Sequence, residues 1–418
     1  MLLALAFACV EAHDDPADPR PHDTGEPPAD DSGDPEVEVA RWQVLIFMNG
    51  DNDLEAYVPH DLNELEQTGS GDGVEVLVQA DRIDGYSEKN GDWTGVHRYR
   101  IVGDDDLSHI SSPVLEDLGE LDMGSPEVLA DFLSWAERNY PAERRVLVMW
   151  NHGDGWLVQD PDAAEEAAEA APPPGISYDD TDGGFMSFAE GTFADGVRAH
   201  VEAHGKFDVI GFDACNMASW EVMHAIAPFA HASAAAETSV GYEGLQYGPM
   251  LAWLRANPDT TPQALAQEMS RGAVEQGGEM TFSATDLDAL PEVSARIDAL
   301  AGAALEDPAL ADALKAYRRQ TRGADHIWKN WYLDLGDFAN IAVAAGDPAL
   351  APLAADVSTA LQGAVVHAYG DEEYAWTTGL TIWFDPSDAY LDLYTNGAGA
   401  TWSQDTRWGE LMRSYEEK

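Results

Sequence analysis

Cysteine, positive charge and long apolar runs are all scarce in this 418-residue sequence. Only two cysteines occur, Cys9 and Cys215. If Cys9 is removed or modified on export, Cys215 stands alone, and an intramolecular disulfide framework is excluded. A lone exposed thiol oxidises, so an exported protein that keeps one generally uses or buries it. Two readings of Cys215 stay open on this count, a nucleophile and an inert core thiol. Lysine and arginine number 22 against 77 acidic residues, a formal net charge of −55. That charge repels nucleic acid and anionic lipid and favours cationic substrates or bound cations. It serves equally as a solubility or high-salt adaptation. No apolar run reaches the roughly 18 residues a membrane-spanning helix needs. Phosphate-loop and dinucleotide glycine patterns are missing, as are Cys/His groupings of zinc type. No cofactor is expected to be required for the chemistry.

What is present divides into segments. Met1 to Ala8 is apolar and ends in small residues, which resembles the tail of an export signal. Ala6-Phe7-Ala8-Cys9 is similar to a bacterial lipoprotein cleavage box, although the usual leucine three residues before the cysteine is absent. The expectation is export, ending either in release outside the cell or in a lipid anchor on Cys9 at its surface. Residues 10–40 carry eleven acids, one arginine and many prolines. They cannot bury enough apolar area to offset ordering entropy, and read as a solvated linker.

The folded part begins near Arg41. Val44-Leu45-Ile46-Phe47-Met48 is a continuous apolar run, the mark of a strand buried on both faces. A helix is expected from Leu54 to Gln67, then strands over Val74–Ala80 and Val96–Val102, the latter in a hairpin after Asn90-Gly91. Ser125-Pro126-Glu127 supplies a cap, a first-turn proline and a first-turn acid for a helix to about Tyr140. Arg145–Trp150 and Phe207–Phe212 read as buried strands, and His231–Ala236 as a strand of small residues. Helices are expected over Ser187–Ala203 and Asn216–Ala227. Residues 161–175 form a low-complexity Ala/Glu/Pro insertion. From Thr261 to His367 the pattern is mainly helical, and a strand returns at 376–384. Alternating apolar strands and helices imply an α/β fold with a mostly parallel sheet covered on both faces. The division expected is a catalytic core at 41–260 and a helical region at 261–418 that returns one strand to that core.

Two loops carry the chemistry. His152 follows the strand Val146–Trp150, inside Asn151-His152-Gly153-Asp154-Gly155. Cys215 follows the strand Val209–Phe212, inside Asp213-Ala214-Cys215-Asn216-Met217. Ligands of open parallel sheets bind at the carboxyl ends of strands, so neighbouring strands would bring both residues to one rim. A helix starting just after Cys215 would favour its thiolate. A thiolate attacks a carbonyl carbon, and an imidazole protonates the leaving amine. Backbone amides near Gly153 and Cys215 could hold the oxyanion, a donor of this kind contributing about 3 kcal/mol. A His-Gly turn followed well downstream by a cysteine after a strand is also the order found in caspases.

Asn151-His152-Gly153 together with Phe212-Asp213-Ala214-Cys215-Asn216-Met217 resembles the clostripain family of cysteine peptidases, in the clan of caspases, gingipains and legumain. Met48–Glu55, Ala236-Glu237-Thr238 before Gly241-Tyr242, Asp334–Phe338 and Gly379–Phe384 match as well. The resemblance covers roughly residues 41–385. It implies a caspase-like sheet, a His152–Cys215 dyad and cleavage of protein or peptide substrates after arginine or lysine. It also implies that Asp213, two residues before the nucleophile, lines the specificity pocket, with Glu243 as a second candidate. A carboxylate facing a guanidinium gives a charge-assisted contact of the required strength.

Relatives in this family are often activated by a cut between histidine and cysteine, after a basic residue. Here no lysine or arginine occurs from Val146 through Val197. A single uncut chain is therefore expected, or a cut by a protease of other specificity. The family also brings an association with calcium. Asp51-Asn52-Asp53-Leu54-Glu55 and Asp179-Asp180-Thr181-Asp182-Gly183-Gly184 are the acidic turns that could serve it, though the first lacks the glycine of a calcium loop. Each also reads as a simple helix cap or turn. Two rival functions remain: a peptidase-like surface protein that only binds basic peptides, and a cysteine peptidase of different specificity.

Overall fold

The computed structural model describes residues 39–156, 175–322, 331–385 and 390–416. Cys9, the acidic linker to residue 38 and the alanine-rich insertion to residue 174 lie outside the described residues.

Nine strands form the main sheet: β1 (Ala40–Gly50), β2 (Val74–Arg82), β3 (Val96–Arg100), β4 (Val114–Gly119), β5 (Ala142–Trp150), β6 (Phe207–Asp213), β7 (Ala230–Ala235), β8 (Thr281–Asp286) and β10 (Val365–Gly370). β9 (Tyr332–Asp334) and β11 (Thr381–Trp383) make a separate antiparallel pair. The order in the main sheet is β10-β8-β7-β6-β5-β1-β2-β3-β4. Its centre, β2-β1-β5-β6-β7, is parallel, and both edges are antiparallel. The parallel centre is what the alternating pattern predicts, and the whole is the caspase-like α/β arrangement that the family resemblance implies.

The apolar run of β1 is fully buried because each face of the sheet has its own core. Leu45, Phe47, Leu147, Met149, Ile210 and Phe212 point to one face. Val44, Ile46, Met48, Val146, Val148 and Val209 point to the other. On the second face lie α1 (Val58–Glu66), with Leu62 and Leu65, and two later helices carrying Leu251, Leu254, Leu265 and Met269. On the first lie α2 (Pro126–Asn139) and α3 (Thr192–His204), with Leu129, Phe132, Phe193 and Val197, and the helices of the C-terminal half. The Ser125 side chain accepts from the Glu127 N–H at 3.2 Å, so α2 starts at its sequence signal.

The C-terminal half is mainly helical, as its pattern predicts, but it contributes to the sheets differently from the expected single returning strand. It supplies β8 and β10 to the main sheet, and Val37–Lys418 form one unit with no seam near residue 260. Both strands are six residues long, and β8 is rich in Thr, Ser and Ala, which blurs the strand signal. The strand read at 376–384 contracts to Thr381–Trp383 and pairs with β9 rather than with the main sheet. Gly379, at φ +100°, interrupts the extended backbone before it. Among the described residues, no helix is long and apolar enough to cross a membrane.

Candidate active site

β5 and β6 are parallel neighbours in register, with Trp150 opposite Asp213. The loops leaving them carry His152 and Cys215 from the same edge, as the topology of a parallel sheet requires. Both residues line one cavity of about 500 Å³, together with Asp53, Asp61, Asp213 and Tyr242.

The two loops are packed backbone to backbone. A Cβ on Gly153 would sit 2.7 Å from the Cys215 carbonyl oxygen and 2.8 Å from the Ala214 Cβ, so only glycine fits this approach. Asn151 anchors the histidine loop. Its Nδ2 donates to the Asn49 carbonyl at 2.7 Å, and its Oδ1 accepts from the Tyr178 N–H at 2.9 Å. The His152 Nε2 lies 2.6 Å from Asp53 Oδ1, which fixes the ring from the side of β1.

Cys215 is half-buried, and its sulfur accepts from the Val240 N–H at 3.2 Å. Burial pushes the thiol up from its ordinary value, and the Val240 amide opposes this in part. The helix expected at Asn216 starts four residues later. Asn216 takes a left-handed φ of +60°, and Ser219 caps α4 (Trp220–Ile226) through Val222 N–H at 3.2 Å. The N-terminus of α4 therefore does not directly follow the sulfur, and it is not the source of thiolate stabilisation that the sequence suggests.

Asp213 ends β6 and is 7% exposed at the cavity wall. Its carboxylate accepts from the Leu245 N–H at 3.2 Å and from the Tyr247 hydroxyl at 2.8 Å. Burial pushes it up to about 6, while these donors act the other way. Glu243 is exposed and does not line the cavity, although its neighbours Tyr242 and Gly244 do. Gly244 turns with φ +47° directly over the Asp213 carboxylate, and Glu243, outside the wall, still raises Asp61 and Glu279 through its charge. The second acid in the wall is Asp61 of α1, which is 4% exposed and accepts from the Trp150 indole at 2.6 Å. Burial, then the nearby Asp213, raises Asp61 well above the carboxylate range. Its sequence signal was weak: in His60-Asp61-Leu62-Asn63-Glu64 it reads as part of a solvated helix face.

The lip of the cavity is held by Glu279, whose carboxylate accepts from Gly241 N–H at 2.6 Å and Gly244 N–H at 3.1 Å. Across the mouth, Tyr242 stacks on Tyr57 with ring centroids 4.3 Å apart. The remaining motif acids serve the frame. Glu237 accepts from Gly379 N–H at 2.7 Å, and Asp334 caps the next helix through Asp337 N–H at 2.7 Å.

The clostripain family model matches residues 46–415, nearly the whole of the described chain. The chain belongs to the clostripain family, peptidase family C11. Clostripain from Hathewaya histolytica is 26% identical over 220 residues, covering 49% of this chain and 39% of clostripain's own length. The chain thus aligns with well under half of that relative. Among solved structures, a secreted C11 cysteine protease from Bacteroides thetaiotaomicron, in complex with an irreversible peptide inhibitor, superposes with a TM-score of 0.61 at 19% identity. It covers 88% of this chain and 99% of that one. An inactive zymogen C11 protease from Parabacteroides distasonis gives a TM-score of 0.62 at 18% identity, with the same coverage. These two share the C11 fold with this family member.

Proposed function

We propose that this clostripain-family chain is an exported cysteine endopeptidase that cleaves after arginine or lysine. The observation that carries the reading is the single cavity shared by Cys215, His152 and two buried carboxylates, Asp213 and Asp61. In this reading Cys215 gives its proton to His152 and its sulfur attacks the scissile carbonyl carbon. The carbonyl oxygen takes the negative charge and is held by the backbone amides of Gly153 and Cys215. As the C–N bond breaks, His152 returns the proton to the leaving amine, leaving a thioester on Cys215. A water molecule, deprotonated by His152, then releases the acid product and restores the thiol. Asp53 orients the imidazole through both steps.

Specificity follows from charge and depth. A guanidinium or ammonium entering the cavity meets the Asp213 carboxylate, which offsets its desolvation, and a cation at that depth favours ionisation of the neighbouring Asp61. The tyrosine stack at the mouth gives the aliphatic stem an apolar wall. Export is supported by the signal-like start, and one superposed relative is described as secreted. Whether the chain is released or held by a lipid on Cys9 is decided by mass analysis of the mature N-terminus.

Hydrolysis of an arginyl fluorogenic peptide, compared with its alanyl counterpart, tests the reading. Activity on the arginyl peptide that disappears in Cys215→Ala is expected. Binding of the arginyl peptide without turnover in the native protein would favour a surface receptor for basic peptides. Equal turnover of both peptides would favour a cysteine peptidase of different specificity.

A further inference from the structure

Two buried carboxyl groups meet behind the cysteine loop, and neither takes part in the chemistry above. Glu237, just after β7, is 1% exposed, and Asp334, at the end of β9, is fully buried. Their side chains hydrogen bond to each other. Two carboxylates cannot do this, because each offers only acceptors, so one of the pair keeps a proton.

The remaining hydrogen bonds say which. Asp334 Oδ1 accepts from the Asp337 N–H and the Thr378 hydroxyl, each at 2.7 Å, and its Oδ2 accepts from the Thr378 N–H at 2.6 Å. Both oxygens of Asp334 are thus occupied by donors, as suits an ionised carboxylate. Glu237 Oε1 accepts from the Gly379 N–H at 2.7 Å, but no N–H or hydroxyl reaches its buried Oε2. An orphaned carboxylate oxygen at this depth is costly, whereas an O–H there has Asp334 to donate to. Burial, then Asp334, raises Glu237 well above the carboxylate range. Two further charges face the pair. Asp337, on the helix Leu335–Ala345, raises Asp334, and Arg322 lies 2.8 Å from Asp337 and is itself raised by Asp334. The walls from β8 and from the turn before β11 bring hydroxyls and amides, from Thr281, Ser283, Thr378 and Gly379.

The location ties this pair to the nucleophile. The carbonyls on either side of Glu237 hold the cysteine loop: Ala236 accepts from the Ala218 N–H at 2.8 Å, and Thr238 from the Asn216 N–H at 2.9 Å. The same stretch of chain reaches Val240, whose N–H meets the Cys215 sulfur. The segment that donates to both acids, Thr378-Gly379, continues to Thr381, whose N–H donates to the Ala218 carbonyl at 2.9 Å.

We propose that Glu237 carries a proton on Oε2, donates it to Asp334, and through this bond positions the Cys215 loop for nucleophilic attack. Glu237 is a positioning residue and touches no reacting atom. The role in attack rests on the peptidase reading; the place of the proton does not. Loss of that proton would set two negative charges against each other in a dry site and push residues 236–240 away from the loop they hold.

The test compares the full native chain with Glu237→Gln and Asp334→Asn, by thermal unfolding from pH about 5 to about 9 and by steady-state kinetics on an arginyl peptide. Glutamine reproduces the protonated acid, its oxygen accepting from Gly379 and its amide donating to Asp334. Glu237→Gln should therefore fold, with kcat and KM within about twofold of native. In the unfolded chain Glu237 loses its proton near its ordinary value of 4.5, while the folded chain keeps it. Its contribution to stability is therefore full below that pH and falls as pH rises through the window. Glutamine has no proton to lose, so the Tm of Glu237→Gln should gain on the native Tm by at least about 3 °C across the window. Asp334→Asn turns a donor toward N–H groups that need an acceptor. It should lower Tm by at least about 5 °C and kcat about tenfold or more, at nearly constant KM. Should it fail to fold beside a folded Glu237→Gln, the asymmetry is the same. Glu237→Ala, which removes the bond and leaves Asp334 its own donors, then reads the kcat loss.

A Glu237→Gln chain that does not fold, a Tm difference flat with pH, or an Asp334→Asn chain as sound as Glu237→Gln would overturn the proton assignment. Native kcat in Asp334→Asn or Glu237→Ala would overturn the positioning role alone. A native chain without hydrolysis would remove the peptidase reading and the positioning role with it, and the Tm comparison would still decide where the proton sits.

Discussion

The imidazole Nε2 of His152 stands 2.6 Å from the Asp53 carboxylate, across 99 residues of sequence. One ring nitrogen is thereby committed to an acid, and in the proposed mechanism the other carries the proton transfer. Asp53→Ala should lower kcat about 10- to 100-fold while leaving KM for an arginyl peptide nearly unchanged, because a positioning residue acts on the reacting geometry. Asp53→Glu should recover part of the loss. Steady-state kinetics of both variants check this, and a KM change with constant kcat would place Asp53 in substrate binding instead.

Asp213 and Asp61 predict the selectivity. Asp213→Asn removes a buried charge that faces the incoming cation, and should lower kcat/KM for arginyl peptide by roughly 30-fold or more. Turnover of an alanyl peptide should change much less. Asp61→Asn should act in the same direction. A peptide-library profile reads both effects at once.

The pH dependence has a defined sign. Asp213 is raised to about 6 from its ordinary 3.8, so kcat/KM for arginyl peptide should climb through pH about 6 as that carboxylate loses its proton. Stability runs the other way. Between pH about 4 and 6 the folded chain holds this proton and the unfolded chain does not, so the Asp213 contribution falls as pH rises through that window. Thermal unfolding of Asp213→Asn across the window should show a shallower decline than the native chain.

Gly153→Ala tests the contact between the two loops. The added methyl would press on the Cys215 carbonyl and the Ala214 side chain, an overpacking that costs about 1–3 kcal/mol or displaces the loop. A lower Tm with activity reduced well beyond the change in folded fraction is expected. A native-like variant would show that the approach is looser than the structure has it.

Residues 146–197 lack lysine and arginine, so a peptidase specific for those residues cannot cut itself there. Intact mass of the purified enzyme should show no self-cleavage in this interval. Efficient self-cutting inside it would contradict basic-residue specificity.

Much of this was legible in the residues. The apolar runs of β1, β5 and β6 announce strands buried on both faces, and their following loops hold His152 and Cys215 where a parallel sheet must place them. Asp213 was singled out through the family resemblance, and it lines the cavity. Asp61 was not, because a carboxylate on a helix is ordinarily solvated and only tertiary packing under Trp150 buries it. The helix start after Cys215 was misplaced because a left-handed Asn216 leaves no composition signal. β8 was hidden by its small and hydroxyl residues and β10 by its shortness after a long helix, and both gain their pairing only from the finished sheet edge. Glu243 lies exposed beside the cavity rather than in its wall, a placement that sequence spacing does not reveal.

Reaction of the native chain with an arginyl acyloxymethyl ketone, followed by peptide mapping, bears most directly on the catalytic assignment. The account predicts one equivalent of label on Cys215, suppressed by a competing arginyl peptide and absent in Cys215→Ala. A native chain that takes up no label, or takes it up at another residue, would contradict it.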